Sequence, residues 1–339
     1  MTRTRDQVYH ITLQEQGQTL AAFLRKKRSS VPWSRIQKLV RTRHVMIHGN
    51  ICTDEARRLK DGDVVKVLSE PAAPPPKPRD IKIIYLDNDV VVVDKPSGIT
   101  TTRHHEEASW PARRKQLQPT LDEMMPKIIR RYASSQSRTR KGKQKPGDND
   151  RYAPRTGPVY PVHRIDRETS GLVVFARTVP AGRILAEQFR LHTTHRRYLA
   201  VAVGRVGEGT IITHLVRDRG DGRRGSSSDV GEGKRAVTHV KPVQRLRKDG
   251  NTYTLVECQL ETGRTHQIRI HLAESGHPIC GERVYSAPRH MNVKDHSGAQ
   301  RVSLHAAELG FIQPSTGEEL RFESRIPLDM SRLIERLSP

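Results

Sequence analysis

The chain has 339 residues and carries 60 Lys and Arg residues against 37 Asp and Glu residues, a formal net charge of +23. Self-repulsion of that size is costly unless a polyanion binds, and nucleic acid is the commonest polyanion. No apolar run approaches the ~18–20 residues that a membrane-spanning helix needs, so the composition favours nucleic acid over a membrane as the partner.

Cysteine and histidine usage argues against disulfide and metal frameworks. Cys52, Cys258 and Cys280 are odd in number, far apart and outside any C-x-x-C pattern, which indicates a reducing cytoplasm. The 16 histidines show no H-E-x-x-H or comparable ligand spacing, so we expect no metal. Phosphate loops and dinucleotide fingerprints are absent from the sequence, so we expect no cofactor. The opening residues, MTRTRDQVYH, contain no apolar core and predict no signal peptide.

Residues 1–70 predict a small α/β module. Apolar residues repeat at helical spacing in two places, around Leu24 and around Val40. The second of these helices carries basic residues on the opposite face: Arg35, Lys38 and Arg41. Short strands are predicted at residues 45–47 and 64–67.

A stiff, extended linker is predicted for the Pro-rich residues 71–80, ahead of a larger domain over residues 81–330. That domain begins with β-rich runs and continues with a strand–helix–strand alternation across residues 172–203. We expect an α+β fold in which helices and loops flank a mixed, largely antiparallel β-sheet, with the small N-terminal α/β module appended.

Two polar, basic segments interrupt the larger domain, at residues 134–158 and 217–234. Both are rich in small, turn-forming or charged residues, and both are predicted to be flexible loops. Basic loops beside a sheet suit a flexible polyanion, although tolerated insertions explain them equally well. Ahead of the first segment, Thr120 and Glu123 have the spacing of a capping box for a helix.

The chemically most informative stretch is HRIDRETSGL, residues 163–172. Asp166 lies between Arg164 and Arg167, and neighbouring positive charge lowers the pKa of a carboxyl group. An ionised carboxylate ahead of an apolar strand can serve as a nucleophile or as a base. From these residues alone, a structural ion pair is the more ordinary explanation.

This stretch resembles the H-R-L-D-x-x-T-S-G-L signature of the RluA-like pseudouridine synthases, with Ile165 in place of leucine. Three further blocks resemble that family in the same order: DVVVVDKPSG from Asp89, RYLA from Arg197 and ETGRTHQIRIH from Glu261. The resemblance implies an enzyme that isomerises uridine to pseudouridine in RNA. It also implies that Asp166 is the catalytic carboxylate and that no cofactor takes part.

The same resemblance assigns residues that bind the substrate. The family's tyrosine falls on Tyr198, which is expected to stack on the target uracil. Arg164 is expected to occupy the space left by the flipped-out base or to contact neighbouring phosphates. Arg264, in the closing block, is the expected positive partner that keeps Asp166 charged. His266 is expected to be structural.

In the N-terminal module, the stretch SRIQKLVRTRHVMIHGN resembles the alpha-L RNA-binding motif of ribosomal proteins and RNA-modifying enzymes. Arg43 stands where a helix-ending glycine is usual. The resemblance implies RNA contacts by Arg35, Lys38, Arg41 and Arg43. A basic helix face is also an ordinary solvated surface.

Alternative functions fit the sequence less well. A catalytically inactive RNA-binding protein would lack the aspartate, tyrosine or arginine of the signature. A nuclease or methyltransferase needs a carboxylate cluster or a Gly-rich cofactor loop, and a glycosidase usually needs two carboxylates. The resemblance implies large-subunit ribosomal RNA as the substrate, with tRNA as the alternative. No apolar stripe or heptad indicates a dimer, so we expect a monomer without an obligate protein partner.

Overall fold

A computed structural model describes residues 7–47, 50–72, 74–103, 107, 109–140, 157–219, 223–227, 229 and 231–338. The chain divides into two compact units. The first comprises residues 1–74, 212–236 and 283–286, and the second comprises residues 75–211, 237–282 and 287–339. The boundary after Pro74 lies within the Pro-rich segment. Residues 212–236 and 283–286 were predicted to belong to the larger domain, but they cluster with the first unit, because sequence order does not reveal contacts in space.

Within the described residues, the N-terminal segment of the first unit contains two helices and a four-stranded antiparallel sheet. Its elements are β1 (Gln7–His10), α1 (Leu20–Lys27), α2 (Trp33–Arg41), β2 (Val45–Ile47), β3 (Asn50–Ile51) and β4 (Val64–Val67). The Thr19 hydroxyl caps α1 by accepting from the Ala22 N–H at 3.3 Å. The apolar residues that predict the two helices, Leu24 and Val40 among them, are buried in one core. Both helices are therefore amphipathic, as the sequence predicts.

Helix α2 ends in a left-handed turn without glycine. Arg43 has a φ of 68°. The His44 N–H donates to the Leu39 carbonyl at 3.0 Å and the Arg43 N–H donates to the Val40 carbonyl at 3.2 Å, which is a Schellman motif. A left-handed residue with a side chain costs roughly 1–2 kcal/mol. The Arg43 guanidinium offsets part of that cost by donating from Nε to the Ala72 carbonyl at 3.2 Å.

In the part of the chain that the structure describes, the larger sheet has eleven strands. In chain order they are β5 (Lys82–Leu86), β6 (Val90–Lys95), β7 (Tyr160–Pro161), β8 (Ser170–Ala176), β9 (His195–Val203), β10 (Gly209–Val216), β11 (Gly225–Ser226), β12 (Lys234–Lys248), β13 (Asn251–Leu260), β14 (Leu304–Ile312) and β15 (Glu319–Glu323). The order is β11-β10-β12-β13-β9-β14-β8-β6-β5, with β15 beside β14 and β7 beside β8. Strands β14 and β8 are parallel, whereas β6–β8, β13–β9 and β14–β9 are antiparallel. The predicted mixed, largely antiparallel sheet is confirmed.

Helices flank this sheet: α3 (Ala112–Leu117), α4 (Leu121–Arg140), α5 (Val179–Arg190), α6 (Gln267–Glu274) and α7 (Leu328–Leu337). Residues from α4 and α6 share a core with Val93 and Val173, whereas residues from α5 share another with Val92 and Leu172. Successive strand residues therefore serve opposite faces of the sheet. Helix α7 extends the fold past residue 330, the predicted end of the domain. In the described parts of the chain, no helix is long and apolar enough to span a membrane.

The two predicted loops differ from expectation. Residues 134–140 continue α4, because polar residues without proline or glycine are compatible with a helix, and residues 141–156 lie outside the described chain. The segment 217–234 includes β11, paired with β10, while its residues 220–222, 228 and 230 lie outside the described chain. Only half of the predicted capping box forms: the Glu123 carboxylate accepts from the Thr120 N–H at 3.3 Å, while the Thr120 hydroxyl bonds to another acceptor.

Strand β8 delivers the HRIDRETSGL stretch to the centre of the sheet. Gly171 has a φ of 112°, and a Cβ there would lie 2.1 Å from the Ala306 carbonyl oxygen of β14. Only glycine fits so close to a neighbouring backbone at this φ. The glycine of the signature therefore lets the loop that carries Asp166 enter the sheet between β6 and β14.

Candidate active site

A pocket of about 430 Å³ opens in the second unit beside this loop. Residues of the loop, of β9 and of the turn and helix at α6 line the pocket. The polar residues among them include His163, Arg164, Asp166, Arg196, Tyr198, Arg264, His266 and Arg269. Asp166 is the single acid among the described residues that line it. The pocket thus combines one carboxylate with an excess of cations.

Arg269 and His266 lie beside the Asp166 carboxylate. Arg269 Nη1 lies 3.5 Å from Oδ2, and His266 Nε2 lies 3.7 Å from Oδ1. Burial alone raises the pKa of Asp166, but the positive charges of His266, Arg269 and Arg164 outweigh burial and hold that pKa below its usual value. The side chain is 17% exposed. The pocket therefore contains a nearly buried carboxylate that stays ionised at neutral pH.

Arg269 is held in place from the opposite direction. Its Nε and Nη2 donate to the two carboxylate oxygens of Glu282 at 2.7 and 2.9 Å, and the Glu282 side chain is 1% exposed. This bidentate pair fixes the plane of the guanidinium and leaves Nη1 directed at Asp166. Among the described residues, Arg269 and not the expected Arg264 is the arginine that forms an ion pair with Asp166. Arg264 precedes α6, whereas Arg269 lies in the buried part of that helix.

The turn before α6 is ordered by a buried amide. Gln267 Oε1 accepts from the Thr262 hydroxyl at 2.8 Å and from the Arg264 N–H at 3.0 Å. Its Nε2 donates to the carbonyl of Val237 at 2.9 Å. His266 is the N-cap residue in a left-handed conformation, with φ 59° and ψ 18°. That conformation brings the imidazole within 3.7 Å of the Asp166 carboxylate, a proximity that the sequence does not reveal.

The loop is clamped on both sides of Asp166. Thr101 Oγ1 donates to the Ile165 carbonyl at 2.7 Å, ahead of the aspartate. After it, Lys95 Nζ donates to the Arg167 carbonyl at 3.3 Å, and the Gly98 N–H donates to the same carbonyl at 2.8 Å. Lys95 is fully buried, and burial lowers its pKa to about 7. The K-P-S-G turn noticed in the sequence is thus a brace for the loop.

Arg301 braces the far end of the loop and was not singled out by sequence analysis. Its Nη1 donates to the Glu168 carbonyl at 3.2 Å, and its Nη2 donates to the Ser170 hydroxyl at 3.3 Å. Asp329 of α7 accepts from Arg301 Nε at 2.6 Å and from Nη2 at 3.1 Å. The C-terminal helix is therefore connected to the loop through one guanidinium. Because this arginine is remote from the loop in sequence, only the fold reveals the contact.

Three other residues expected at the site line the pocket. Tyr198 is 8% exposed, and burial raises its pKa. Arg164 is exposed at the surface of the pocket, and its charge lowers the pKa of Asp166. His163 Nε2 accepts a hydrogen bond from the Val174 N–H at 3.0 Å. The imidazole stacks on the Phe189 ring, with ring centroids 4.4 Å apart. The histidine thus orients the start of the loop.

The residues expected to contact RNA through the first unit lie on and after α2. Arg35 and Lys38 are exposed. Arg41 is exposed and forms an ion pair with Glu55, whereas Arg43 is half-buried in the Schellman turn. Arg35 and Lys38 therefore present exposed charge, while Arg41 and Arg43 also have structural contacts.

The chemistry available to the pocket follows from its charges. Within the described chain, no group of three or more His, Cys, Asp or Glu residues is arranged to hold a metal ion. A single ionised carboxylate can attack a carbon centre or remove a proton. The surrounding cations suit a polyanionic substrate whose reacting group enters the pocket.

Comparison with known proteins supports a specific family. Residues 89–274 match the family described as RNA pseudouridylate synthase. The chain is 33% identical to ribosomal large subunit pseudouridine synthase D of Zymomonas mobilis over 85% of its own length and 84% of that protein. It is 35% identical to the uncharacterized RNA pseudouridine synthase YlyB of Bacillus subtilis over 90% of each chain.

The fold is also that of a solved structure. Human RNA pseudouridylate synthase domain containing 1 superposes with a TM-score of 0.54 at 20% identity, covering 78% of this chain and 91% of the human one. At that identity the likeness concerns the fold alone.

Replacing His266 by asparagine tests the electrostatics of the pocket. Asparagine tolerates the left-handed conformation, so the change removes the imidazole without straining the turn. We expect the pKa of Asp166 to rise, because burial then opposes fewer positive charges. The stability that a depressed carboxyl pKa supplies is lost as pH falls through that pKa, so the loss should move to higher pH. Carboxyl-carbon NMR across the acid range measures the shift.

Arg264→Gln is the matched control for that titration. The Arg264 side chain lines the same pocket, but among the described residues it is not an ion-pair partner of Asp166. The change therefore removes a positive charge from the pocket and leaves both partners of Asp166 in place. A larger pKa rise in Arg264→Gln than in His266→Asn would contradict the assignment of the partners.

Proposed function

The chain belongs to the RNA pseudouridylate synthases, as its resemblance to the RluA-like enzymes predicts, and from this premise we propose that Asp166 is its catalytic carboxylate. The enzyme is an isomerase that converts uridine to pseudouridine in RNA. The observation that carries the proposal is the ionised carboxylate of Asp166, which is the single acid among the described residues of a pocket lined by arginines.

The reaction detaches uracil from C1′ of its ribose, turns the ring and joins C1′ to C5 instead of N1. Asp166 acts either as a nucleophile that attacks C1′ or as a base that removes a sugar proton. Both roles require the ionised form, which Arg269 and His266 favour electrostatically. Both also require exclusion of water, since the detached base must be retained, and the 17% exposure of Asp166 suits that requirement.

The other pocket residues are proposed to hold the nucleotide. Tyr198 lines the pocket and is proposed to stack on the uracil, which must leave its RNA helix or loop to enter. Arg164 is exposed beside Asp166 and is proposed to fill the vacated stack or to contact phosphate. Arg264 is proposed to bind substrate at the half-buried edge of the pocket.

The proposed substrate is large-subunit ribosomal RNA. Relatives over most of the chain are named for the ribosomal large subunit. The formal charge of +23 and the exposed Arg35 and Lys38 support binding to a large, structured RNA. We propose that the enzyme works as a cytoplasmic monomer, without an obligate protein partner, a metal or a cofactor.

Asp166→Asn tests the catalytic assignment. The substrate is a large-subunit ribosomal RNA transcript that carries tritium at C5 of uridine, because joining C1′ to C5 expels the C5 hydrogen. We expect tritium release to fall to background, since an amide is neither a nucleophile nor a base of useful strength. RNA affinity, measured by filter binding, should stay within several-fold because the amide keeps the shape of the side chain.

Glu335→Gln supplies the control, since it makes the same chemical change at an exposed position of α7. It should release tritium at the full rate. Turnover by Asp166→Asn that approaches the rate of the unaltered enzyme would assign the chemistry to a different group.

The double variant Arg35→Ala, Lys38→Ala tests the first unit as an RNA-binding module. Each phosphate contact contributes about 0.7–0.9 to the slope of log affinity against log salt. If both side chains bind phosphate, the slope should fall by about 1.5 and affinity at low salt should weaken. Arg332→Ala, at an exposed position of α7, is the control. An unchanged slope in the double variant would remove these residues from the RNA interface.

A further inference from the structure

The pocket contains a further cation, Arg196 of β9. Arg196 lies two residues before Tyr198 on β9, so both side chains leave the same face of the strand. It lines the pocket and is 7% exposed. Burial lowers its pKa, and Tyr198 is the neighbour that counteracts this effect. Arg196 is therefore a deep member of the pocket wall, next to the tyrosine.

The polar contacts of Arg196 are incomplete. Nη2 donates to the Glu261 carbonyl at 3.0 Å, and the guanidinium carbon lies 5.9 Å from the Phe189 ring centroid. Nε is buried without a hydrogen-bond partner among the described residues. No carboxylate of the described chain forms an ion pair with Arg196, in contrast to Arg269, which has Glu282. A buried cation without an anion is destabilising, and such groups concentrate at functional sites.

The neighbouring turn makes room for this guanidinium. A Cβ added to Gly263 would lie 2.6 Å from Arg196 Nη1. Gly263 has no left-handed φ that would require glycine for backbone reasons. The absence of a side chain at position 263 thus has a steric explanation: it admits the end of Arg196.

The phosphates and the base of a bound nucleotide lie at different depths in such a pocket. The phosphates of a flipped-out nucleotide remain connected to the RNA chain and stay near the surface. Two exposed arginines of the pocket lining, Arg164 and Arg190, are available for them. Arg196 is instead buried beside Tyr198, the proposed partner of the uracil ring, and the Asp166 charge acts on that tyrosine. The buried cation is therefore positioned for the base.

We propose that Arg196 is a second catalytic residue, which donates to an oxygen of the uracil as that ring departs with a negative charge. When the C1′–N1 bond breaks, its electron pair stays on N1 and the charge spreads to the ring oxygens O2 and O4. When C5 then bonds to C1′, the C5 proton leaves and N1 gains a proton, so the product is uncharged. The uracil departs as an anion whether Asp166 acts as the nucleophile or as the base. The inference rests on the proposed function.

A donor in a water-poor pocket is most effective where charge develops during the reaction. Arg196 lines the pocket and forms no ion pair with a carboxylate of the described residues, so its charge is available to the departing ring. Its contribution should be greatest for a poor leaving group and smaller for a good one. That dependence separates a contact with the uracil from a contact with phosphate or a purely structural role.

The test compares two substrates with each enzyme variant. Transcripts of large-subunit ribosomal RNA are made with uridine or with 5-fluorouridine, whose fluorine stabilises the departing anion. Enzyme in excess gives the single-turnover rate, followed by mass spectrometry of the digested nucleosides as conversion of uridine or consumption of 5-fluorouridine. For Arg196→Gln we expect a loss of roughly 10²–10³-fold on uridine, the range for removal of one such donor. The loss on 5-fluorouridine should be at least about tenfold smaller.

Two further variants keep this comparison interpretable. Gly263→Ala displaces the guanidinium without removing its charge and should reproduce the substrate-selective loss to a smaller degree. Arg197→Gln changes the neighbouring residue of β9, which pairs with Glu257 and Glu308 outside the pocket, and should lose equally little on both substrates. For each variant, the rates on the two substrates are measured with one enzyme preparation. Partial misfolding lowers both rates equally and therefore cancels from their ratio.

The outcomes separate the inference from its premise. Equal losses of Arg196→Gln on the two substrates would overturn the role at the uracil, as would weaker RNA binding with an unchanged single-turnover rate, which indicates a phosphate contact. If the unaltered enzyme converts neither transcript, the proposed ribosomal RNA substrate fails, and the inference fails with it. A loss confined largely to uridine supports both.

Discussion

The pocket depends on keeping one nearly buried carboxylate charged. Burial favours the neutral acid, so Asp166 stays ionised because Arg269 and His266 stand within 3.5 and 3.7 Å of its oxygens. Arg269 is in turn oriented by Glu282. An unpaired buried carboxylate would cost several kcal/mol or take up a proton, and either outcome would remove the nucleophile or base. The arrangement thus maintains a reactive group where water is scarce.

Holding that charge also requires a rigid loop. The loop is fixed before Asp166 by Thr101, after it by Lys95 and farther along by Arg301. Gly171 then lets it pass into the centre of the sheet within reach of the Ala306 carbonyl. Most of these contacts end on backbone carbonyls, so they restrain the path of the chain itself. The large sheet, including residues far apart in sequence, therefore serves to position a few atoms.

Local patterns predicted the helices of the first unit and the strand-rich second unit, because hydrophobic periodicity is visible in neighbouring residues. The stretch around Asp166 was identified by its resemblance to a known family, since its residues alone favoured a structural ion pair. Contacts between distant residues were less accessible. Arg264 and Arg269 belong to one motif, and only the path of α6 shows that Arg269 pairs with Asp166. Similarly, Arg301 and the buried environment of Arg196 depend on how strands are ordered in the sheet. Propensity also underestimated α4, whose polar end remains helical.

The measurement that most directly tests the central claim is a map of pseudouridine in cellular RNA. Cells that lack the gene are complemented with the unaltered protein or with Asp166→Asn, and all ribosomal and transfer RNAs are mapped. The account predicts that one or a few large-subunit ribosomal sites disappear without the gene and return only with the unaltered protein. Sites that return with Asp166→Asn would contradict the catalytic assignment of Asp166. Sites confined to transfer RNA would contradict the proposed substrate.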